Sequence, residues 1–87
     1  MRLKRFRWDE ENEGHLAKHE VSPKEAEEAC RIAPKVRRGK CGRYLLLGRT
    51  EEGRHLLVVL TYLGNGEVRP VTAREMDGKE RALYKRK

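Results

Sequence analysis

The rhythm of apolar and polar positions changes at Val36. Before it, residues 4–8 (KRFRW) alternate and predict a short strand with Phe6 and Trp8 on one face. Asp9 can cap a helix running to about Lys18, tied to the core by Leu16 and Trp8. Ser22-Pro23-Lys24-Glu25 is a strong helix start. Ser22 caps, Pro23 takes the first helical position, and Glu25 closes a capping box. Ala26, Ala29, Cys30 and Ile32 are spaced for one buried face, and this second helix stops before Pro34.

After Val36 the signals are those of strands. Residues 43–50 (RYLLLGRT) and 55–63 (HLLVVLTYL) are apolar and joined by a tight turn, Glu51-Glu52-Gly53-Arg54. Gly64-Asn65-Gly66 turns the chain into a third strand, 67–73. Asp77-Gly78-Lys79-Glu80 is another capping box, opening a helix to about Arg86. The expected fold is α+β: an N-terminal strand and two helices, an antiparallel sheet of three to four strands, and a C-terminal helix. The helices would cover one face of the sheet. Residues 1–87 make one small domain, whose thin core leaves room for a partner subunit.

Charge sharpens this picture. The chain carries a net +7, yet residues 9–29 hold eight acidic and two basic residues. That stretch balances at −6, which leaves +13 for the rest. The C-terminal residues Lys79, Arg81, Lys85, Arg86 and Lys87 supply much of it. One face is therefore suited to a polyanion, and nucleic acid is the first partner to consider. Arg43, Arg49, Arg69 and Arg74 lie on or beside strands, where their forked donors are well placed for phosphate. A solvated helix face with a frayed tail is the plainer reading of the C-terminal charges.

No apolar run reaches the roughly 18 residues of a membrane span, and MRLKRFRW lacks the apolar segment of a signal peptide. Two cysteines, Cys30 and Cys41, are too few for a disulfide framework. A reduced, cytoplasmic setting is expected. His15 and His19 are four apart, a spacing able to share a metal. No Cys-x-x-Cys or zinc-protease pattern accompanies them, so neither a metal nor a cofactor is expected.

Several ordered motifs together resemble one family. FRWDEEN at residues 6–12 is followed by His15-x-x-Lys18-His19-x-Val21-Ser22, leading into a helix with Glu25 and Ala26. Arg43-Tyr44, Gly48-Arg49-Thr50, Val58–Thr61, Arg69-x-Val71-Thr72-Ala73-Arg74, Glu80 and Tyr84 follow in order. This set resembles the BrnT toxins, ribonucleases of type II toxin–antitoxin systems with a RelE-like fold. The resemblance implies RNA as substrate and a cognate, BrnA-like antitoxin as partner, within a homodimer or a toxin–antitoxin hetero-oligomer. The chain departs from the family pattern at His15 (usually Asn), Glu20 (usually Gly) and Pro70 (usually Ile or Val). Glu20 must then adopt whatever backbone shape the turn requires. Pro70 removes a ladder donor, so its strand should be an edge or bulged.

Metal-independent RNA cleavage needs a base for the 2′-hydroxyl, an acid for the leaving 5′-oxygen, and positive charge on the phosphorane. Arg49 and Arg74, each ending a strand, are the candidate cations. His19 is the leading acid/base candidate, since imidazole titrates nearest neutrality. Glu80 and Tyr84, one helical turn apart, could supply a second proton carrier. Together Arg69, Arg74, Glu80 and Tyr84 would bring charge and proton carriers to one end of the sheet. Arg43, Arg69, Arg81 and Lys85 would bind the RNA backbone. Each residue has a structural alternative. His19 can end the first helix, Glu80 can serve only its capping box, Tyr84 can belong to the core, and Arg74 can pair with Glu75 or Asp77. A non-catalytic nucleic-acid-binding module and an acidic-peptide binder remain the competing functions.

Overall fold

The computed structural model describes residues 3–86; the contribution expected of Lys87 to the basic C-terminus lies outside them. Strand β1 (Arg5–Phe6) leads into helices α1 (Glu10–Lys18) and α2 (Pro23–Arg31). Strands β2 (Lys35–Arg38), β3 (Arg43–Arg49), β4 (His55–Gly64) and β5 (Glu67–Glu75) follow, then helix α3 (Gly78–Lys85). The strands form one five-stranded sheet in the order β1-β5-β4-β3-β2. Its pairs are antiparallel except β1 with β5, which is parallel. Among the described residues no helix is long and apolar enough to cross a membrane.

All three helix starts take the form their sequences specify. Asp9, Ser22 and Asp77 each accept the backbone N–H three residues on, and Asn12, Glu25 and Glu80 return the bond to the cap. The Glu51–Arg54 turn is closed by the Thr50 N–H to the Arg54 carbonyl (2.8 Å), and the Arg54 N–H bonds Thr50 Oγ1 (3.0 Å). Pro70 sits inside β5 beside a register shift between Val59 and Leu60 of β4, the bulge that its missing donor demands. Its carbonyl accepts from the buried Asn12 side chain at 2.9 Å, and the same amide reaches the Arg7 carbonyl at 2.9 Å. Asn12, embedded in an otherwise charged stretch, therefore pins α1 to β5.

The expected N-terminal strand and antiparallel sheet are both present: β2 to β5 make four antiparallel strands, with Lys35–Arg38 at the edge, and β1 adds a parallel pair. Two expectations are corrected. The helices cover both faces of the sheet rather than one. Helices α1 and α2 pack Leu16, Val21, Ala26, Ala29 and Cys30 against Leu46, Leu56, Val58, Leu60 and Val68. Helix α3 lies on the opposite face, where Leu83 and Tyr84 meet a small second core of Leu47, Leu57 and Met76. The second correction concerns Arg69, whose place in the sheet separates it from Arg74, as described below.

Alternation along β3 and β4 produces the two cores. Leu46 and Leu56 point one way, Leu47 and Leu57 the other, so both faces of the central strands are apolar. The apolar blocks are continuous for that reason. Trp8 behaves as a core anchor, packed on the larger core with its indole N–H donating to Glu27 at 2.7 Å.

Two backbone positions carry unusual constraints. A Cβ on Gly48 would stand 1.9 Å from the Ala29 carbonyl oxygen, so α2 rests on bare backbone there. Glu20, in the turn between α1 and α2, has φ +56°, a conformation that costs a side-chain-bearing residue energy. Exchanges at the two sites should move stability in opposite directions. Gly48→Ala should cost about 2–3 kcal/mol by overpacking against main chain, whereas Glu20→Gly should gain about 0.5–1 kcal/mol by relieving the left-handed turn. Urea unfolding midpoints measure both, with unchanged slopes.

Candidate nucleic-acid and catalytic face

The face under α3 carries the exposed cations Arg49, Arg81 and Lys85. Alternation of β3 places Arg49 on the side of Leu45 and Leu47, away from the acidic helices. His55 opens β4 and is the cross-strand partner of Arg49. Because the neighbouring Thr50–Arg54 pair carries the ladder bond, Arg49 and His55 oppose each other at a non-hydrogen-bonded position, where side chains approach most closely. The His55 ring meets Tyr84 edge-on, centroids 5.7 Å apart and planes at 76°. A depression of about 170 Å³, lined by Gly53, Arg54, His55, Glu75, Met76 and Arg81, opens beside it.

Electrostatics mark the same point. The half-buried His55 imidazole is held below its ordinary pKa, first by desolvation and then by the positive charges of Arg81, Lys85 and Arg49. Those three cations come from β3 and α3 and are exposed. None forms a side-chain ion pair among the described residues.

Arg74 is differently employed. Its guanidinium forms a fork-to-fork pair with Glu80, 2.9 and 2.8 Å, and also donates to the Glu75 carbonyl at 3.1 Å. Glu80 is thus both the Arg74 partner and the capping-box residue of α3, accepting from the Asp77 N–H at 2.9 Å. The pair raises the already high pKa of Arg74 further. It fixes the start of α3 against the end of β5. The Tyr84 hydroxyl donates to the Ala33 carbonyl at 3.1 Å, which ties the middle of α3 to the loop after α2. Lys35 of β2 caps the other end of α3 through the Leu83 carbonyl, 3.0 Å, and that of Arg86.

His19 is the residue that ends α1, its N–H bonding the Leu16 and Ala17 carbonyls. It is exposed and lines a separate shallow depression with Glu20, Arg54, Arg74 and Glu75. Arg54 divides this depression from the one beside His55. Its guanidinium holds Glu25 (3.0 and 3.1 Å) and Glu75 (2.9 Å) and donates to the Glu20 carbonyl (2.7 Å). The α1–α2 turn is thereby bound to the β4–β5 sheet end.

Of the expected site residues, Arg49, Arg74, Glu80, Tyr84, Arg81 and Lys85 share the α3 face, with His19 around the rim. Arg69 does not join them. It pairs through β4 with Thr61 and Arg43, at the other end of the sheet from Arg49 and His55. Its guanidinium is engaged by Asp9 (3.0 and 3.2 Å) and Glu11 (2.9 Å). Strand polarity explains the separation: Arg69 and Arg74 occupy opposite ends of the same long strand. Arg43 is exposed at that distant end.

His55 and Arg54 are the residues that motif reading missed. Both sit next to the Gly53 turn, and their only signal was position at the mouth of a predicted hairpin. Cys30 is buried, which pushes its thiol up to about 12, and Cys41 is exposed. Among the described residues no three His, Cys, Asp or Glu side chains converge.

Comparison with known proteins agrees with the fold. Residues 8–80 match the family model described as the ribonuclease toxin BrnT of type II toxin–antitoxin systems. The crystal structure of the Brucella abortus ribonuclease toxin BrnT has a similar fold, with a TM-score of 0.69 and 20% identity. The match covers 84% of this chain and 96% of that one. No curated protein matches the chain.

The Arg54 clamp makes stability depend on acid. The Glu25 carboxyl is held below its ordinary pKa by the Ser22 backbone N–H and by Arg54. Its contribution is complete above the usual carboxylate pKa and is lost as pH falls through the lowered one. Glu25→Gln keeps the cap but cannot titrate. The variant should lose less stability than the parent on acidification, as read by urea midpoints at successive pH values.

Proposed function

The chain belongs to the BrnT family of ribonuclease toxins of type II toxin–antitoxin systems, and from that premise we propose that RNA is bound and cleaved on the face beneath α3. The observation that carries this reading is the convergence of Arg49, Arg81 and Lys85 around His55, without acidic partners of their own. Three unpaired cations near one half-buried imidazole suit a phosphodiester. The acidic helices α1 and α2 lie on the opposite face and keep RNA from it.

Catalysis on this face is acid–base transesterification without a metal. Arg49, on a central strand, balances the charge that builds on the phosphorane. Arg74 belongs to the same machinery as a positioning cation. Its pair with Glu80 sets the start of α3, and the Tyr84 bond to Ala33 sets the middle, so Arg81 and Lys85 are held near His55. Glu80 and Tyr84, with these bonds made, act by holding α3. His19 borders the approach to the site from the Arg74 side. A BrnA-like antitoxin would silence the protein by covering the α3 face with acidic side chains.

Purified protein should cleave single-stranded RNA in the presence of a chelator. Arg49→Ala should lower kcat/KM by about 10²–10³-fold, the usual loss for one donor to a developing oxyanion. Intact RNA with demonstrably folded protein would remove the proposal.

A further inference from the structure

We propose that His55 is the general base that removes the 2′-hydroxyl proton of the bound RNA. This rests on the preceding assignment of the α3 face as the cleavage surface, and it gives that surface the proton acceptor that arginines and lysines do not supply.

Geometry is the first argument. His55 opposes Arg49 at the close-approach position of the β3–β4 ladder, so a phosphate held by Arg49 lies within reach of the imidazole. The backbone of His55 is pinned by the Met76 N–H to its carbonyl at 3.1 Å, and the neighbouring Thr50–Arg54 bond holds β3 alongside it. Edge-on contact with Tyr84 sets the ring plane, and Tyr84 is itself held by the Ala33 carbonyl. A base positioned by packing from β3, β5 and α3 meets the requirement that such groups be rigid.

The alternatives on the face are already committed. Glu80 has both carboxylate oxygens in the Arg74 fork and one in the α3 cap. Tyr84 spends its hydroxyl proton on Ala33. His19 stands in the neighbouring depression, beyond the Arg54–Glu75 pair. Glu75, which also lines the depression, is paired with Arg54. Among the described residues on this face, His55 is the proton acceptor left beside the three free cations.

Charge around the ring suits a base. Arg49 faces it from β3, Arg54 and Glu75 from the hairpin and β5, and Arg81 and Lys85 with Tyr84 from α3. The balance is positive, so the neutral imidazole is favoured before substrate arrives. Binding a phosphodiester cancels part of that field and strengthens the base as the substrate is seated. In the step, the 2′-oxygen gives its proton to an imidazole nitrogen of His55 and forms a bond to phosphorus. The bond from phosphorus to the 5′-oxygen breaks with its electron pair, and that oxygen takes a proton from water, leaving a hydroxide that afterwards removes the proton from His55. The products are a 2′,3′-cyclic phosphate and a 5′-hydroxyl, and His55 leaves the step protonated.

Two measurements test this. In the first, pH–rate profiles of RNA cleavage are compared for the parent and His55→Gln. Loss of about 10²–10⁴-fold in kcat is expected for removal of a general base, with the acid limb of the parent profile abolished and affinity for a single-stranded DNA oligonucleotide little changed. DNA lacks the 2′-hydroxyl and serves as the uncleavable ligand. In the second, NMR follows the His55 ring titration with and without that oligonucleotide; the pKa should rise on binding. A folded His55→Gln protein that keeps parental kcat and the same acid limb overturns the assignment, as does a His55 titration indifferent to the oligonucleotide. A parent that cleaves no RNA brings down the cleavage surface and its base together, which separates that failure from an active parent indifferent to His55.

Discussion

The backbone of α2 touches the backbone of β3 at Gly48, and much else in the molecule follows from that contact. No side chain fits between Gly48 and Ala29, so the helix and strand meet at one place and at one depth. The two residues that flank Gly48 are then both assigned by the pleat to the face away from α2. Leu47 joins the core under α3, and Arg49 emerges beside it on the same face. Thr50 is drawn inward, where its hydroxyl and N–H close the hairpin that presents His55. A single close approach thus sets the helical layer on one face and the position of the chemical groups on the other.

Arg54 extends this constraint to the rest of the sheet end. One guanidinium binds the start of α2, the turn before it and the end of β5. An isolated surface ion pair contributes little. A guanidinium shared among two carboxylates and a main-chain carbonyl in partly buried surroundings fixes geometry as well, because its donors form a rigid planar fork. The turn it binds contains the strained Glu20, so the clamp also helps hold a backbone shape that the residue type disfavours.

Charge separation is the link from fold to function. The acidic residues of α1 and α2 partly neutralise Arg54, Arg69 and Arg31 on their own side. On the α3 side the nearby acids are engaged elsewhere: Glu80 with Arg74, Glu75 with Arg54 and Asp77 in the helix cap. What remains there is a set of unpaired cations on rigid elements, arranged around one imidazole. Such a surface is suited to the RNA backbone proposed for it.

Local features were legible in the chain itself. Caps at Asp9, Ser22 and Asp77, the turns at Gly53 and Asn65, and the bulge demanded by Pro70 depend on a few adjacent residues and the chirality of the backbone. The short strand Lys35–Arg38 was hidden because three of its four residues are charged, and its identity comes from pairing with β3. The side of the sheet covered by α3 was equally hidden, since β3 and β4 are apolar on both faces. Arg69 and Arg74 looked alike in sequence and lie at opposite ends of β5, one bound to α1 and the other to α3. His19 sits in a recognisable motif, while His55 is a single residue beside a turn; only strand register brings His55 against Arg49 and Tyr84. The sequence alone determined the helices, the long strands, their caps and turns, and the segregation of charge, because these arise from short-range sterics and composition. The tertiary structure decided which cations share a face and which histidine they surround, because register and layer order exist only once distant segments have packed.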